Sequence, residues 1–187
     1  MRHAWLLAVA VALAAVAASA AWADSARHAR RSLGAATLAT TARTRYVRRI
    51  ERHRDATWRL EALMGARRTP YAGTARRARS RHYLRWVLTL WRRREARTLR
   101  RWRNPPHKLA WLCIHRYEGG WRDPGAPYYG GLQMDIAFQS AYGGRLLRAK
   151  GTADHWTPLE QIWTAEKAQR SRGFWPWPNT GRACGLL

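Results

Sequence analysis

Apolar side chains of this 187-residue chain recur at helical intervals, and no stretch alternates apolar and polar residues as a long β-strand does. Over residues 76–103, four of them fall at positions i, i+3, i+4 and i+7 and form one apolar face: Leu84, Val87, Leu88 and Trp91. The pattern predicts a mainly α-helical protein, with at most one small hairpin near residues 128–133.

Positive charge lies mainly in the middle of the chain. Residues 24–106 contain 24 Arg against five Asp and Glu, a net charge of +19, whereas residues 107–187 contain 10 Lys and Arg against six acids, a net charge of +4. Residues 24–42 are rich in Ala, Ser, Thr and Arg, and we expect a flexible lead-in there. For residues 43–106 we expect an arginine-rich helical segment, with a break that contains Gly and Pro between its two helices.

The first residues have the composition of a secretory signal peptide. Arg2 and His3 give a positive start, an apolar run follows over residues 4–18, and Ala21-Trp22-Ala23 offers a cleavage site. The run is shorter than the roughly 20 residues of a spanning helix. We therefore expect residues 1–23 to be removed and the protein to be secreted or held at the cell wall.

An exported, arginine-rich segment has anionic envelope polymers and lipid headgroups as natural partners, whereas no specific nucleic acid is expected. The apolar face of residues 76–103 has three interpretations. It could lie on a membrane surface, pack against residues 107–187, or form a hairpin with the preceding helix. We favour packing of this face within the protein over contact with a membrane surface. Such packing leaves the arginines available to the envelope.

Two cysteines in an exported chain predict one disulfide, between Cys113 and Cys184. In the chain-entropy model a loop of this size stabilises the fold by about 4 kcal/mol. No Cys and His cluster has the spacing of metal ligands, so neither a metal site nor a cofactor is expected.

Glu118 ends a short apolar helix that two glycines stop, and an aromatic, glycine-rich turn follows it. An apolar environment favours the protonated form of a carboxyl group, which can then donate its proton to a glycosidic oxygen. Leu109, Leu112 and Cys113 are expected on the inward face of this helix. Farther along, Asp135 is expected to cap a helix ending at Gly143-Gly144, and Thr157 to Glu160 has the pattern of a capping box.

Three segments, in order, resemble the resuscitation-promoting factor and transglycosylase-like family of actinobacterial cell-wall enzymes. Tyr128 to Gln133 is similar to the family's YYGGLQ segment, and residues 159–168 are similar to its E-Q-I-x-x-A-E-R helix. Residues 173–184 are similar to its G-W-x-x-W-P…C tail. The resemblance implies a lysozyme-like α+β domain over residues 107–187. The chain differs in placing Cys113 five residues before Glu118, where the family has its first cysteine directly before the acid.

The resemblance implies cleavage of peptidoglycan glycan strands with Glu118 as general acid. The resulting carboxylate would then act as base on the 6-hydroxyl of the same sugar or on water, giving a lytic transglycosylase or a hydrolase. A second carboxylate is not required. Glu166 is the candidate considered, although we expect it to form a buried ion pair with an arginine.

Eight residues are expected to bind the sugar chain. The aromatic ones would stack on sugar rings, Gln133 would hydrogen-bond an acetamido or hydroxyl group, and two glycines would allow close approach of the backbone. The set is Trp121, Tyr128, Tyr129, Gly130, Gly131, Gln133, Trp175 and Trp177. Core positions are expected for Trp111, Trp163 and Phe138, and a structural role for His115.

Two rival functions belong to other classes. The groove could bind cell wall without cleaving it, or residues 76–103 could act on membranes as a cationic helix.

Overall fold

The computed structural model describes residues 2–71, 73–78 and 80–187, with the backbone alone at residues 2–21, 23, 24, 26 and 39. The protein is mainly α-helical, as the sequence predicts. In chain order the elements are α1 (Arg2–Leu63), a 3₁₀ turn (Thr74–Arg76), α2 (Arg81–Arg103), α3 (Lys108–Glu118), β1 (Tyr128–Tyr129), β2 (Met134–Asp135), α4 (Ile136–Lys150), a 3₁₀ turn (Ala153–His155), α5 (Pro158–Arg172) and α6 (Pro178–Ala183).

Residues 24–42 continue helix α1, where a flexible lead-in was expected. Ala and Arg are strong helix formers, and this intrinsic preference decides the backbone where no packing opposes it. The signal-peptide prediction concerns residues 1–23, of which Trp22 has a described side chain, 80 % exposed. Met1 and the side chains of the predicted apolar run lie outside the described residues. No helix in the described part of the chain combines the length and apolarity needed to span a membrane.

Helices α1 and α2 form a hairpin around one apolar core. Ile50 from α1 packs with the four predicted side chains of α2, which are all buried: Leu84, Val87, Leu88 and Trp91. Trp58, Tyr71 and Trp91 add three edge-to-face ring contacts at centroid distances of 5.6–6.2 Å. The hairpin interpretation of this helix is thus confirmed, because its apolar face is used within the protein.

The C-terminal part has its own core, built on Trp111 and Ile114 of α3. Trp111 lies 4.9 Å from the Phe174 ring centroid and 5.0 Å from that of Trp177. The predicted inward face of α3 is wrong for two residues. Leu109 is 82 % and Leu112 39 % exposed, because α3 turns its larger indole side chain to the core.

The two predicted helix caps are confirmed, whereas one predicted helix end is not. Asp135 Oδ1 accepts a hydrogen bond from the Phe138 N–H at 2.6 Å, and Thr157 with Glu160 forms a reciprocal capping box at the start of α5. Helix α4, however, runs through Gly143 and Gly144 to Lys150. These glycines do not stop it, because tertiary packing holds the helix across them.

Two local predictions near the acid are confirmed. Strands β1 and β2 form the expected small antiparallel hairpin, with Tyr128 opposite Asp135 and Tyr129 opposite Met134. Cys113 and Cys184 form the expected disulfide, with an S–S distance of 2.05 Å. It joins α3 to the residue that follows α6.

The α1–α2 hairpin packs on the C-terminal part through α5. The Trp163 indole of α5 stacks on Trp102 at 6.1 Å between centroids and donates to the Trp102 carbonyl at 2.8 Å. Arg170 donates to the carbonyl oxygens of Met64 at 2.7 Å and Gly65 at 3.0 Å. The basic hairpin and the C-terminal part therefore share a polar and aromatic junction.

Candidate functional site

Glu118 is the last residue of α3 and is half-buried. Its Oε1 accepts a hydrogen bond of 2.7 Å from the Thr180 hydroxyl on α6. Within the part of the chain that the structure describes, no group hydrogen-bonds Oε2. One carboxylate oxygen is therefore fixed, and the other is available for proton transfer.

The disulfide joins the same two elements as the Glu118–Thr180 hydrogen bond. Cys113 lies on α3, five residues before Glu118, and Cys184 caps α6, four residues after Thr180. A covalent link so near restricts sliding of the two helices. Sequence reasoning missed Thr180, because the two residues are 62 positions apart and no local pattern connects them.

Gln133 occupies a turn beside the acid. Its backbone is left-handed, with φ of 47°, a conformation that is costly for a residue with a side chain. Its Nε2 donates to Asp123 Oδ2 at 2.8 Å and to the Gly130 carbonyl at 3.2 Å. A Cβ at Gly119 would lie 3.2 Å from this amide nitrogen, so the Gln133 amide lies close to the residue next to Glu118. Both amide hydrogens are used, which leaves the Gln133 Oε1 as its available acceptor.

Gly130 and Gly131 are buried, and packing within the protein accounts for both. A Cβ at Gly130 would lie 2.5 Å from Gln161 Oε1, and one at Gly131 would lie 2.6 Å from His115 Nδ1. Close approach of a sugar chain was expected at these glycines, whereas protein side chains fill that space. Gln161 was not singled out from the sequence. Its fully buried amide accepts from the Gly131 N–H at 2.8 Å and donates to the Trp121 carbonyl at 2.8 Å.

A cleft of about 370 Å³ lies between the β-hairpin, α4 and the segment before α6. Aromatic and polar side chains line it: Tyr128, Gln133, Asp135, Phe138, Tyr142, Arg172 and Trp177 are among them. Glu118 is not a lining residue. Two residues relate it to the cleft: Gln133 of the lining, whose amide lies close to Gly119, and Thr180, which lies three residues after Trp177.

The predicted stacking residues differ in exposure. Tyr128 is 49 % and Trp175 65 % exposed, so a face of each is open to solvent. Trp121 and Tyr129 are half-buried, and the Trp121 ring stacks on His115 at 3.9 Å. Trp177 is only 4 % exposed and donates to the Leu132 carbonyl at 2.7 Å. It is a core residue that forms part of the cleft wall, so its ring is not the open stacking surface that was expected.

The expected core residues are confirmed for the two tryptophans, Trp111 and Trp163, which are 0 % and 3 % exposed. Phe138 is half-buried, and its ring centroid lies 5.4 Å from that of Trp177. His115 contacts the Gly131 carbonyl oxygen through Nδ1 at 3.1 Å. That contact and its stacking on Trp121 agree with the structural role expected for His115.

Glu166 lies in the core, 2 % exposed. Its Oε1 accepts from the His107 N–H at 2.8 Å and the Trp111 indole at 3.0 Å, and its Oε2 pairs with the His107 ring at 3.1 Å. The prediction of an arginine partner for Glu166 is wrong, because the turn before α3 brings a histidine to this carboxylate instead.

The remaining carboxyl groups of this part have structural partners. Burial acts to raise the pKa of Glu160, but hydrogen bonds from Lys150 and Thr157 outweigh it and hold that pKa below its ordinary value. Asp154 pairs with the ring of His155 at 3.1 Å. Asp135 caps α4 and also lines the cleft. Asp123 accepts from the Gln133 amide, and its Oδ2 would lie 3.2 Å from a Cβ at Gly119, the residue after Glu118.

Metal ligation has no candidate among the described residues, where no three His, Cys, Asp or Glu side chains are grouped to hold an ion.

No model of a known protein family matches this chain, and neither a curated protein nor a solved structure matches it. Function is therefore inferred from the motifs and from the geometry around Glu118.

Proposed function

We propose that the chain is an exported enzyme that cleaves peptidoglycan glycan strands, with a lysozyme-like domain over residues 107–187 and Glu118 as its acid and base. One observation carries the proposal. Glu118 has one oxygen held by Thr180 at 2.7 Å and the other without a partner in the described protein, and Gln133, whose amide lies near the adjacent Gly119, lines a cleft with aromatic walls.

In the first step, the proton on Glu118 Oε2 passes to the glycosidic oxygen that leaves C1 of an N-acetylmuramic acid residue. The C1–O bond breaks and positive charge develops on the sugar ring. The hydroxyl of Thr180 fixes Oε1, so that the acidic proton resides on the free oxygen. Such positioning reduces the reorganisation that proton transfer would otherwise require.

In the second step, the Glu118 carboxylate takes a proton from the nucleophile that attacks C1. Attack by the 6-hydroxyl of the same sugar gives a 1,6-anhydro product, and attack by water gives a reducing end. One carboxylate can perform both steps. Asp135, in the cleft wall, could stabilise positive charge on the ring from its place at the start of α4.

Recognition of the sugar would use the exposed aromatic faces and one amide. Tyr128 and Trp175 have open rings on which apolar sugar faces can stack. Gln133 Oε1 could accept a hydrogen bond from an acetamido N–H or a hydroxyl, since its amide nitrogen is already committed to Asp123 and Gly130.

The α1–α2 hairpin would hold the enzyme at the anionic envelope. Its apolar face is buried, and its arginines carry most of the net charge of +24. Attraction between such a surface and anionic polymers falls with ionic strength. A membrane-active helix is the weaker alternative, because the apolar residues that it would insert are inside the hairpin.

A comparison of peptidoglycan binding with turnover distinguishes a cleaving enzyme from a protein that only binds the wall. We expect wild type, Glu118→Gln and the control Glu95→Gln to sediment equally with purified peptidoglycan, because the change at residue 118 keeps the shape of the cleft. Turnover by Glu118→Gln should fall at least about a hundredfold, as expected for loss of a general acid. Glu95 lies in the hairpin and pairs with His53, so its substitution should leave turnover unchanged. A wild type that binds but releases nothing would be a wall-binding module.

A further inference from the structure

A second cavity, here called the junction cavity, lies where α1, the loop after it and α4 meet. Its volume is about 380 Å³. Three arginines line it: Arg59 on α1, Arg68 on the loop and Arg145 on α4. These residues come from distant parts of the sequence, so the fold itself gathers the positive charge.

The positive charge of the junction cavity is not neutralised by the protein. Arg59 and Arg145 have no carboxylate partner within the described residues. Arg68 lies over the Trp58 ring, 3.5 Å from its centroid, a contact that orients the guanidinium without cancelling its charge. The carboxylate in the lining, Asp55, already pairs with Arg54 at 2.8 Å.

Lys167 on α5 adds a fourth positive group beside this cavity. Its side chain packs against Gly65, where a Cβ would lie 3.0 Å from Lys167 Cδ, and the next residue, Ala66, is in the cavity lining. Burial, followed by repulsion from Arg170 and Arg145, lowers the pKa of Lys167 to about 8. No hydrogen bond or ion pair joins its ammonium group to the described protein. Lys167 is thus a half-buried cation near other cations, and no anion of the described protein pairs with it.

We propose that the junction cavity binds a phosphate group. Guanidinium groups bind oxyanions through paired, charge-assisted hydrogen bonds, and three arginines line this one cavity. A phosphate offers more acceptor oxygens and more charge than a carboxylate, which suits three guanidiniums and a nearby ammonium. The bound group would join α1 to α4 and α5, and so strengthen the junction between the hairpin and the C-terminal part.

The chain offers a site-specific reporter, because it has three lysines, Lys108, Lys150 and Lys167. Full-length protein labelled with ¹³C at lysine gives three Cε signals, assigned by Lys→Arg variants. We expect inorganic phosphate, compared with chloride at equal ionic strength, to raise the Lys167 midpoint from about 8 by about one unit or more. The Lys108 signal should not move, since Lys108 lies on α3, outside the lining.

Arg145→Gln should weaken phosphate binding about tenfold or more, because it removes one paired contact to the anion. Arg148→Gln is the matched control. It carries the same change on the same helix, is exposed, and lies outside the lining. Arg59→Gln is a second test from α1, and it should weaken binding as Arg145→Gln does. All of these positions are exposed, so folding is not expected to depend on them.

The same variants identify the source of the phosphate. Phosphatidylcholine vesicles with and without phosphatidylglycerol test a lipid headgroup, and inorganic phosphate tests the free anion. Selective loss of binding by Arg145→Gln in either arm supports the site and names its source. Equal behaviour of Arg145→Gln and Arg148→Gln in both arms, with an unmoved Lys167 midpoint, would overturn it, because a diffuse cationic surface would then account for all binding.

Discussion

At the scale of single residues, the proposed catalysis depends on the contact between Glu118 and Thr180. The hydroxyl holds one oxygen of the acid at 2.7 Å, and the other stays open. Glu118 could be singled out as a candidate from its place between an apolar helix and an aromatic turn. Thr180 was not, because a side-chain contact between residues far apart in sequence depends on the packing of α6 against α3.

Thr180→Val should lower peptidoglycan turnover about tenfold with little change in binding. It removes a hydrogen bond to a carboxylate, worth about 1.5 kcal/mol, and leaves the volume of the side chain nearly unchanged. Thr152→Val is the control, because Thr152 is also half-buried and its hydroxyl has no hydrogen bond in the described protein. Equal turnover by the two variants would show that Thr180 does not position the acid.

Substitution of Glu166 should separate loss of a charge from loss of an acceptor. Glu166→Ala leaves the half-buried His107 donors and the buried Trp111 indole without a partner, so the free energy of unfolding should fall by about 3 kcal/mol. Glu166→Gln keeps an oxygen for both donors and should cost about half as much or less. Urea unfolding of both variants measures this difference. Similar losses would indicate that the charge, rather than the acceptor, matters at this position.

At the scale of elements, local signals in the sequence were reliable where the structure obeys local chemistry. The cap at Asp135 and the capping box at Thr157 depend on residues within one turn, and both are present. The faces of α3 and the end of α4 were mispredicted, because neighbouring helices decide them. Trp111 turns inward toward Glu166, and α4 passes through two glycines that alone would favour a stop.

The two glycines of α4 should respond to alanine in opposite ways. At Gly143, a Cβ would lie 2.5 Å from Trp156, so Gly143→Ala should destabilise the protein by about 1–3 kcal/mol through overpacking. At Gly144, the nearest atom is a flexible Arg148 nitrogen at 3.4 Å, so Gly144→Ala should stabilise by about 0.5–1 kcal/mol through helix propensity. Urea unfolding tests both. A loss at Gly144 as large as that at Gly143 would contradict this account of α4.

At the scale of the whole molecule, two helical parts meet at a junction rich in cations. The charge asymmetry between residues 24–106 and 107–187 was visible in the sequence. The junction itself was not, since the approach of Lys167, Arg145 and Gly65 needs three elements to come together. The fold class was therefore predictable from periodicity, while the contact between the two parts was not.

Lys167 should make stability rise at alkaline pH. Its pKa is about 8 in the folded protein against an ordinary value of 10.5, so between these values the unfolded chain binds more protons than the folded one. The free energy of unfolding should therefore increase from pH 8 to 10.5 and gain nothing from this group below pH 8. Lys167→Met should remove that increase, whereas the control Lys108→Met should keep it. Parallel pH profiles for wild type and Lys167→Met would rule out the buried, repelled ammonium.

The most direct test of Glu118 catalysis is mass spectrometry of the soluble fragments that folded, disulfide-bonded protein releases from purified peptidoglycan. We predict release by wild type and by Glu95→Gln, and none above background by Glu118→Gln. Anhydro-muramyl ends would identify a lytic transglycosylase, and reducing ends a hydrolase. Equal release by Glu118→Gln, or no release by wild type, would contradict the assignment of Glu118 as the catalytic acid.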